Sequence, residues 1–400
     1  MNQGILTPLI PFLGACIYGD AEKFYAGLDH SGRQELETQA KLFGMSPWLY
    51  RYLSNVLPDG VRSECQRVFQ MCQAESMMAI LELDRLCDVL RNSGLHFALI
   101  KGADLAYRLY PEAALRRYGD WDVLFHPDDC VRALEVLSKD GWNAPIQYTT
   151  RAVQAVLKTS AHHFSLHIRG GYKVEPHFTL PNFANIDPHE FWEYTIEQPG
   201  GGQYVLSPEF NLLMLTRHAA SKSYFHVSIP KLLTDAAMVM RKEKIDFMKL
   251  RSMTDKWHLP YSGNLLAAFP EFFPADVIAD FHADPEDTLQ FRRVFEERAM
   301  LREPQSVSLV LNRFHAQGNT FLGLWKYVRN CTPDKMRILY HLPKHGAWGR
   351  VALAYVSYFW TRSWRVACSF ARHDTALRDY CLMVAALESQ SPQETKCMLK

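Results

Sequence analysis

The chain has 400 residues and a mass of 46.1 kDa, about two to three times the usual single-domain length, which excludes a lone small module. With 48% hydrophobic, 12% aromatic and 22% charged residues it can bury an extensive core, so it is no disordered chain. Forty-four Lys plus Arg against 43 Asp plus Glu leave a formal charge of +1. No global field gathers nucleic acid or anionic lipid, and any charge that matters is local.

Nine cysteines without a Cys-x-x-Cys pair argue for reduced thiols in a cytoplasmic protein, against a disulfide framework or a zinc ribbon. Met1 to Ile17 lacks a basic leader and is interrupted by Pro8 and Pro11, so no cleaved signal is expected. No window reaches the roughly 18 uncharged apolar residues of a membrane span. The nearest is Val351 to Trp360, which reads as a buried helix, with an interfacial membrane contact as the alternative.

In chain order, Val68, Cys72, Ile80, Leu83, Cys87 and Leu90 recur at helical spacing and predict a long one-sided helix, or two abutting ones, over Glu64 to Asn92, ended by Gly94. His96 to Ile100 is a compact apolar run and predicts a buried strand leading into a Lys101-Gly102 turn. Ala103 to Tyr110 predicts a two-turn helix stopped by Pro111. Asp120 to Phe125 begins polar and ends apolar, as a strand entering the core does. Pro127-Asp128-Asp129 then opens a helix that stops at Gly141. Phe164 to Ile168 alternates with polar residues, and Tyr172 to Glu175 returns after Arg169-Gly170-Gly171, so the pair predicts a hairpin. Pro199 to Gly202 is a loop, and beyond Ser207-Pro208-Glu209 the pattern is helical. These elements predict an α+β fold: a small mixed sheet embedded in large helical regions, divided as 1–94, 95–204 and 205–400.

In Asp120-Trp121-Asp122 the carboxylates are two apart, which on a strand puts both on one face. Two adjacent acids repel, and a hard divalent cation that also takes phosphate oxygens relieves the repulsion. On the returning strand Glu175 shares a face with Lys173 and His177. If that strand lies beside the first, Glu175 is a third carboxylate for a second metal or for proton transfer. Gly102 lets the backbone approach a phosphate at a helix N-terminus, Lys101 adds a positive charge there, and Arg116 and Arg117 can hold triphosphate oxygens.

The runs Leu99 to Leu105 and Leu115 to Leu124, carrying Lys101-Gly102, Arg116 and Gly119-Asp120-Trp121-Asp122, resemble the bacterial uncharacterised nucleotidyltransferase family of the polymerase-β-like superfamily. Val174 to His177, Leu212 to His218, Leu233 to Asp235 and Lys41 to Leu53 are similar to further parts of it, over roughly residues 35 to 240. The resemblance departs at Gly102-Ala103, where the superfamily more commonly has Gly-Gly or Gly-Ser, and at Trp121, where an aliphatic residue is usual. It implies an enzyme that transfers a nucleoside monophosphate from an NTP such as ATP to an acceptor, with release of pyrophosphate. Asp120, Asp122 and Glu175 would be catalytic and metal-binding for Mg²⁺, or Mn²⁺ in its place, and Lys101, Gly102, Arg116, Arg117 and His177 would bind substrate. The acceptor is left open among sugars, small molecules, peptides and proteins, and neutral charge argues against long nucleic acid.

Two alternatives stand beside this reading. His162, His163, His167 and His177 cluster in sequence and, with Glu175, supply a His₂-carboxylate set for a zinc-dependent hydrolase. A nucleotidyltransferase-like core could also bind nucleotide or a partner without turnover. His218 and Asp235 read either as a buried hydrogen-bonded pair or as acceptor contacts, and Trp325, Tyr327, Tyr340 and Trp348 as core or as an acceptor cleft.

Overall fold

The computed structural model describes residues 8–144, 163–164, 166–180, 186–221, 225–257 and 266–273, with isolated positions elsewhere. Four helices open the described chain: α1 (Leu9–Tyr18), α2 (Ala21–Gly27), α3 (His30–Leu42) and α4 (Ser46–Leu53). Next comes α5 (Asp59–Asn92), one continuous helix of 34 residues, about 50 Å long at 1.5 Å per residue. Gly94, at φ 62°, ends it as its sequence position requires.

A six-stranded mixed sheet follows, in the order β3-β4-β2-β1-β6-β5. Its strands are β1 (Phe97–Ile100), β2 (Trp121–Phe125), β3 (His167–Arg169), β4 (Tyr172–His177), β5 (Thr195–Glu197) and β6 (Gln203–Leu206). The helices between and after them are α6 (Lys101–Arg108), α7 (Cys130–Lys139), α8 (Pro208–Ser221), α9 (Phe225–Lys242) and α10 (Phe247–Lys256). The structure therefore has the α+β architecture that the sequence predicts. The β3–β4 hairpin forms through Gly170 and Gly171, both at positive φ. The strands β5 and β6 flank the Pro199–Gly202 loop, and β6 pairs parallel with β1. The boundary drawn at 204/205 thus falls inside β6.

Every residue of β1 and β2 is buried, because both faces of the central sheet are covered. Alternation sends the side chains into two cores. Phe97, Leu99, Trp121, Val123 and Phe125 join Leu83, Leu86 and Leu90 of α5 and Leu134 and Leu137 of α7. Ala98, Ile100 and Leu124 join the N-terminal helices and the helices from α8 onward. Trp121 is accommodated in an aromatic stack, its ring 5.2 Å from Tyr172 and 5.7 Å from Trp142. Burial of each such side chain contributes about 1.5–3 kcal/mol.

Among the described residues no helix is long and apolar enough to cross a membrane. The expectation of a buried helix at Val351 to Trp360 does not hold at its described positions: Leu353, Val356 and Trp360 are helical and exposed. Their apolar character had suggested a core, but spacing alone does not say whether anything covers a face. Trp348 is likewise exposed, while Trp325, Tyr327 and Tyr340 lie outside the described residues.

Candidate active site

Register brings the acids together. On the face shared with Leu124, Asp122 of β2 stands opposite Ile100 of β1 on one side and Glu175 of the parallel strand β4 on the other. Glu175 and His177 are two apart on β4 and so share this face. His177 donates from Nε2 to Asp122 Oδ1 at 2.8 Å and to Glu175 Oε2 at 3.1 Å. Asp122, Glu175 and His177 each offer a ligand atom, all within 4.8 Å of one another. His163 adds its Nε2 at 3.4 Å from Glu175 Oε1.

The other charge comes from the end of β1. Lys101 is the one non-glycine with a left-handed backbone among the described residues, at φ 56°. That conformation costs about 1–3 kcal/mol and is characteristic of sites where geometry is imposed by function. From this sharp turn between β1 and α6, Lys101 Nζ reaches Asp122 Oδ1 at 2.5 Å. Burial opposes ionisation of Asp122, but the Lys101 ammonium and the His177 hydrogen bond outweigh it and hold the carboxyl well below the usual carboxylate range. Burial also opposes ionisation of Glu175, which His177 and His163 nevertheless lower. Burial and Lys101 push His177 down, yet its bonds to the two carboxylates prevail and raise it above its ordinary value. The cluster sets two carboxylates against the Lys101 ammonium and the His177 imidazole.

The acids open into a cleft of about 190 Å³ whose far wall is α8 and α9, through Leu215, His218, Lys231, Leu232 and Asp235. Asp120 precedes β2, is exposed, and lines the same cleft without joining the three-residue cluster. Gly102 lines it too, and the structure gives the glycine a packing role. A Cβ there would lie 2.8 Å from Tyr118 Cβ, so only glycine lets residues 116–119 cross this close to α6.

Arg116 is buried and grips Asp235 of α9 in two bonds, Nε to Oδ1 at 2.6 Å and Nη2 to Oδ2 at 2.7 Å. Tyr110 donates to the same carboxylate at 2.7 Å, and its ring meets Trp48 of α4 edge-on. Trp48 in turn donates its indole N–H to Leu115 O at 3.0 Å, so α4 and α9 together fix the segment leading to Asp120. Arg117 sits elsewhere, paired with Glu75 of α5 at 3.2 Å where both side chains are about half exposed.

Of the residues expected from the sequence, Lys101, Gly102, Arg116, Asp120, Asp122, Glu175 and His177 meet in or beside one cleft, and Arg117 does not. For the hydrolase reading, His163 and His177 reach Glu175, His167 is buried on β3 and joins no three-ligand group among the described residues, and His162 lies outside them. His218 and Asp235 both line the cleft, the latter as partner of Arg116 and Tyr110. Lys231 was not anticipated. Its signal was the spacing of four from Asp235, which places both on one side of a helix.

The sequence matches no curated protein and no solved structure. The profile of the family described as uncharacterised nucleotidyltransferase matches residues 34–265, more than half of the chain and the whole of the cleft just described, and the protein belongs to that family.

Proposed function

We propose that the protein transfers a nucleoside monophosphate from an NTP to an acceptor with release of pyrophosphate, in the cleft above Asp122. The observation that carries this reading is the pairing of Asp122 and Glu175 across two adjacent parallel strands, beside a lysine held in a strained turn. The donor set, two carboxylates and an imidazole, fits a divalent cation. Asp122 and Glu175, with Asp120 at the cleft wall, would hold Mg²⁺ or Mn²⁺, which when bound neutralises triphosphate charge and orients the α-phosphate.

The chain's own residues do the rest. Lys101 presents an ammonium beside the N-terminus of α6, where backbone N–H groups also face incoming phosphate. The Arg116 donors not spent on Asp235 and on the carbonyl of Arg117 favour the departing pyrophosphate. Glu175 accepts the acceptor's proton as its oxygen bonds to the α-phosphorus and the bond to pyrophosphate breaks. His177 holds Asp122 and Glu175 in register. Arg117, outside the cleft, has no role here. In this reading 95–204 with the end of β6 forms the catalytic core between two helical regions, and the reduced thiols suit the cytoplasm; Cys16, Cys65, Cys72, Cys87 and Cys130 are free and buried.

Incubation with each labelled NTP and cell extract tests the proposal: label passes to an acceptor with the wild-type chain and Mg²⁺, and not with Asp122→Asn. One observation favours a second reading, since His163 and His177 flank Glu175 as a zinc hydrolase would need. Tightly held zinc in this cluster without NTP consumption would select it. Thermal stabilisation by an NTP without pyrophosphate release would select a binding module instead.

A further inference from the structure

We propose that the opposite end of β2 carries a second metal site, in which His126, Asp128 and His189 hold one zinc-class transition-metal ion with a coordination position left open. His126 stands four positions beyond Asp122, roughly 13 Å along an extended strand, so this site is distinct from the cleft above Asp122.

The three residues each present a ligand atom, all within 4.8 Å of one another. His126 Nδ1 lies 3.6 Å from one Asp128 oxygen, and His189 Nε2 lies 3.9 Å from the other. Tetrahedral zinc with bonds of about 2.0–2.1 Å needs ligand atoms roughly 3.3–3.4 Å apart, a few tenths of an ångström closer. His126 Nδ1 accepts a hydrogen bond from the Asp128 N–H at 3.3 Å, a long bond on the nitrogen's single lone pair that ligation through this atom would replace.

Two short 3₁₀ turns fix the donors. His126 precedes Pro127–Asp129, and His189 stands in Pro188–Tyr194, where Asp187 accepts from its backbone N–H at 3.0 Å. Ion pairing does not account for the grouping, because Asp128 is 77% exposed and pairs that open to water contribute little. Two imidazoles and one carboxylate select zinc, cobalt, nickel or copper over magnesium. Three protein ligands would leave a fourth position free, and two of them, His126 and Asp128, line a cavity of about 400 Å³ together with Trp192, Thr195 and Tyr204. The indole of Trp192 lies 5.3 Å from the His126 ring, close enough to report the ion by fluorescence.

The test titrates the full chain with Co²⁺, reading visible absorption and tryptophan fluorescence, and compares four proteins: wild type, His126→Ala/His189→Ala, Asp128→Asn and His163→Ala/His177→Ala. We expect one equivalent of bound Co²⁺ to weaken on the order of tenfold or more in the first double variant and in Asp128→Asn, and to persist when His163 and His177 are replaced. Should His126→Ala/His189→Ala fail to fold by circular dichroism, the exposed Asp128→Asn carries the test alone. Equal binding by wild type and these variants, absence of binding by folded wild type, or loss only with His163 and His177 would overturn the site.

Discussion

Gly102→Ala probes how closely the segment before β2 must approach α6. The new methyl would stand 2.8 Å from Tyr118 Cβ and 3.4 Å from Arg116 Nη1. Carbon atoms rest at about 3.5–4.0 Å, so residues 116–119 must retreat by roughly 1 Å, and the obstacle is the root of a side chain rather than a flexible tip. Overpacking of this size costs about 1–3 kcal/mol. The same segment ends at Asp120, and a displacement near 1 Å at a phosphoryl-transfer site costs on the order of 10² in rate. The expected variant is folded, unfolds at lower urea, and transfers label about 10²-fold more slowly. Gly60→Ala in the first turn of α5 serves as control: nothing lies within 4 Å of its added carbon, and alanine there stabilises by about 0.5–1 kcal/mol. Wild-type turnover by Gly102→Ala would refute the argument that the glycine sets the geometry of the cleft.

Asp122→Asn should keep its shape and lose on the order of 10² or more in transfer rate, measured with labelled NTP. Asp235→Ala leaves the buried Arg116 charge without its carboxylate and should cost about 3–5 kcal/mol in urea denaturation; recovery of wild-type stability would show that the pair is dispensable. In chelator, the cluster should be most stabilising between about pH 4.3 and 6.5. Asp122 and Glu175 are lowered against burial by Lys101 and His177, so their contribution is present above the unfolded carboxylate values and lost as pH falls through the folded ones. His177 is raised by its carboxylate partners, so its contribution is full below the unfolded histidine value and lost as pH rises through the folded one. Thermal midpoints against pH should show both losses, and His177→Gln should abolish the alkaline one and shrink the acid one, since His177 helps lower both carboxylates.

Local pattern carried the parts of the site that local pattern can encode. The alternation in Val174-Glu175-Pro176-His177 and in Trp121-Asp122-Val123 placed each polar side chain on its face, and Lys101-Gly102 marked the turn after β1. What adjacency of strands adds was not legible: nothing in the residues states that β4 lies parallel to β2 with Glu175 opposite Asp122. Two strands escaped notice because β5 and β6 have three and four residues, too few for alternation to register, and because β6 finds its parallel partner β1 across more than 100 positions. That Arg116 is also buried against Asp235 was not legible, because that partner is 119 residues away. The positive φ of Lys101 had no sequence signal, since lysine ordinarily avoids it.

The clasp between Arg116 and Asp235 bears on how reactants get in. One half belongs to the sheet side of the reaction chamber and the other to α9, so swinging that helix outward would separate a desolvated ion pair. At about 3–5 kcal/mol, such an opened form would amount to roughly one molecule in a hundred to one in several thousand. On the proposed reaction, reactants would therefore enter through the standing mouth of the chamber, and an acceptor would be selected by whether it fits between fixed walls rather than by a closing jaw.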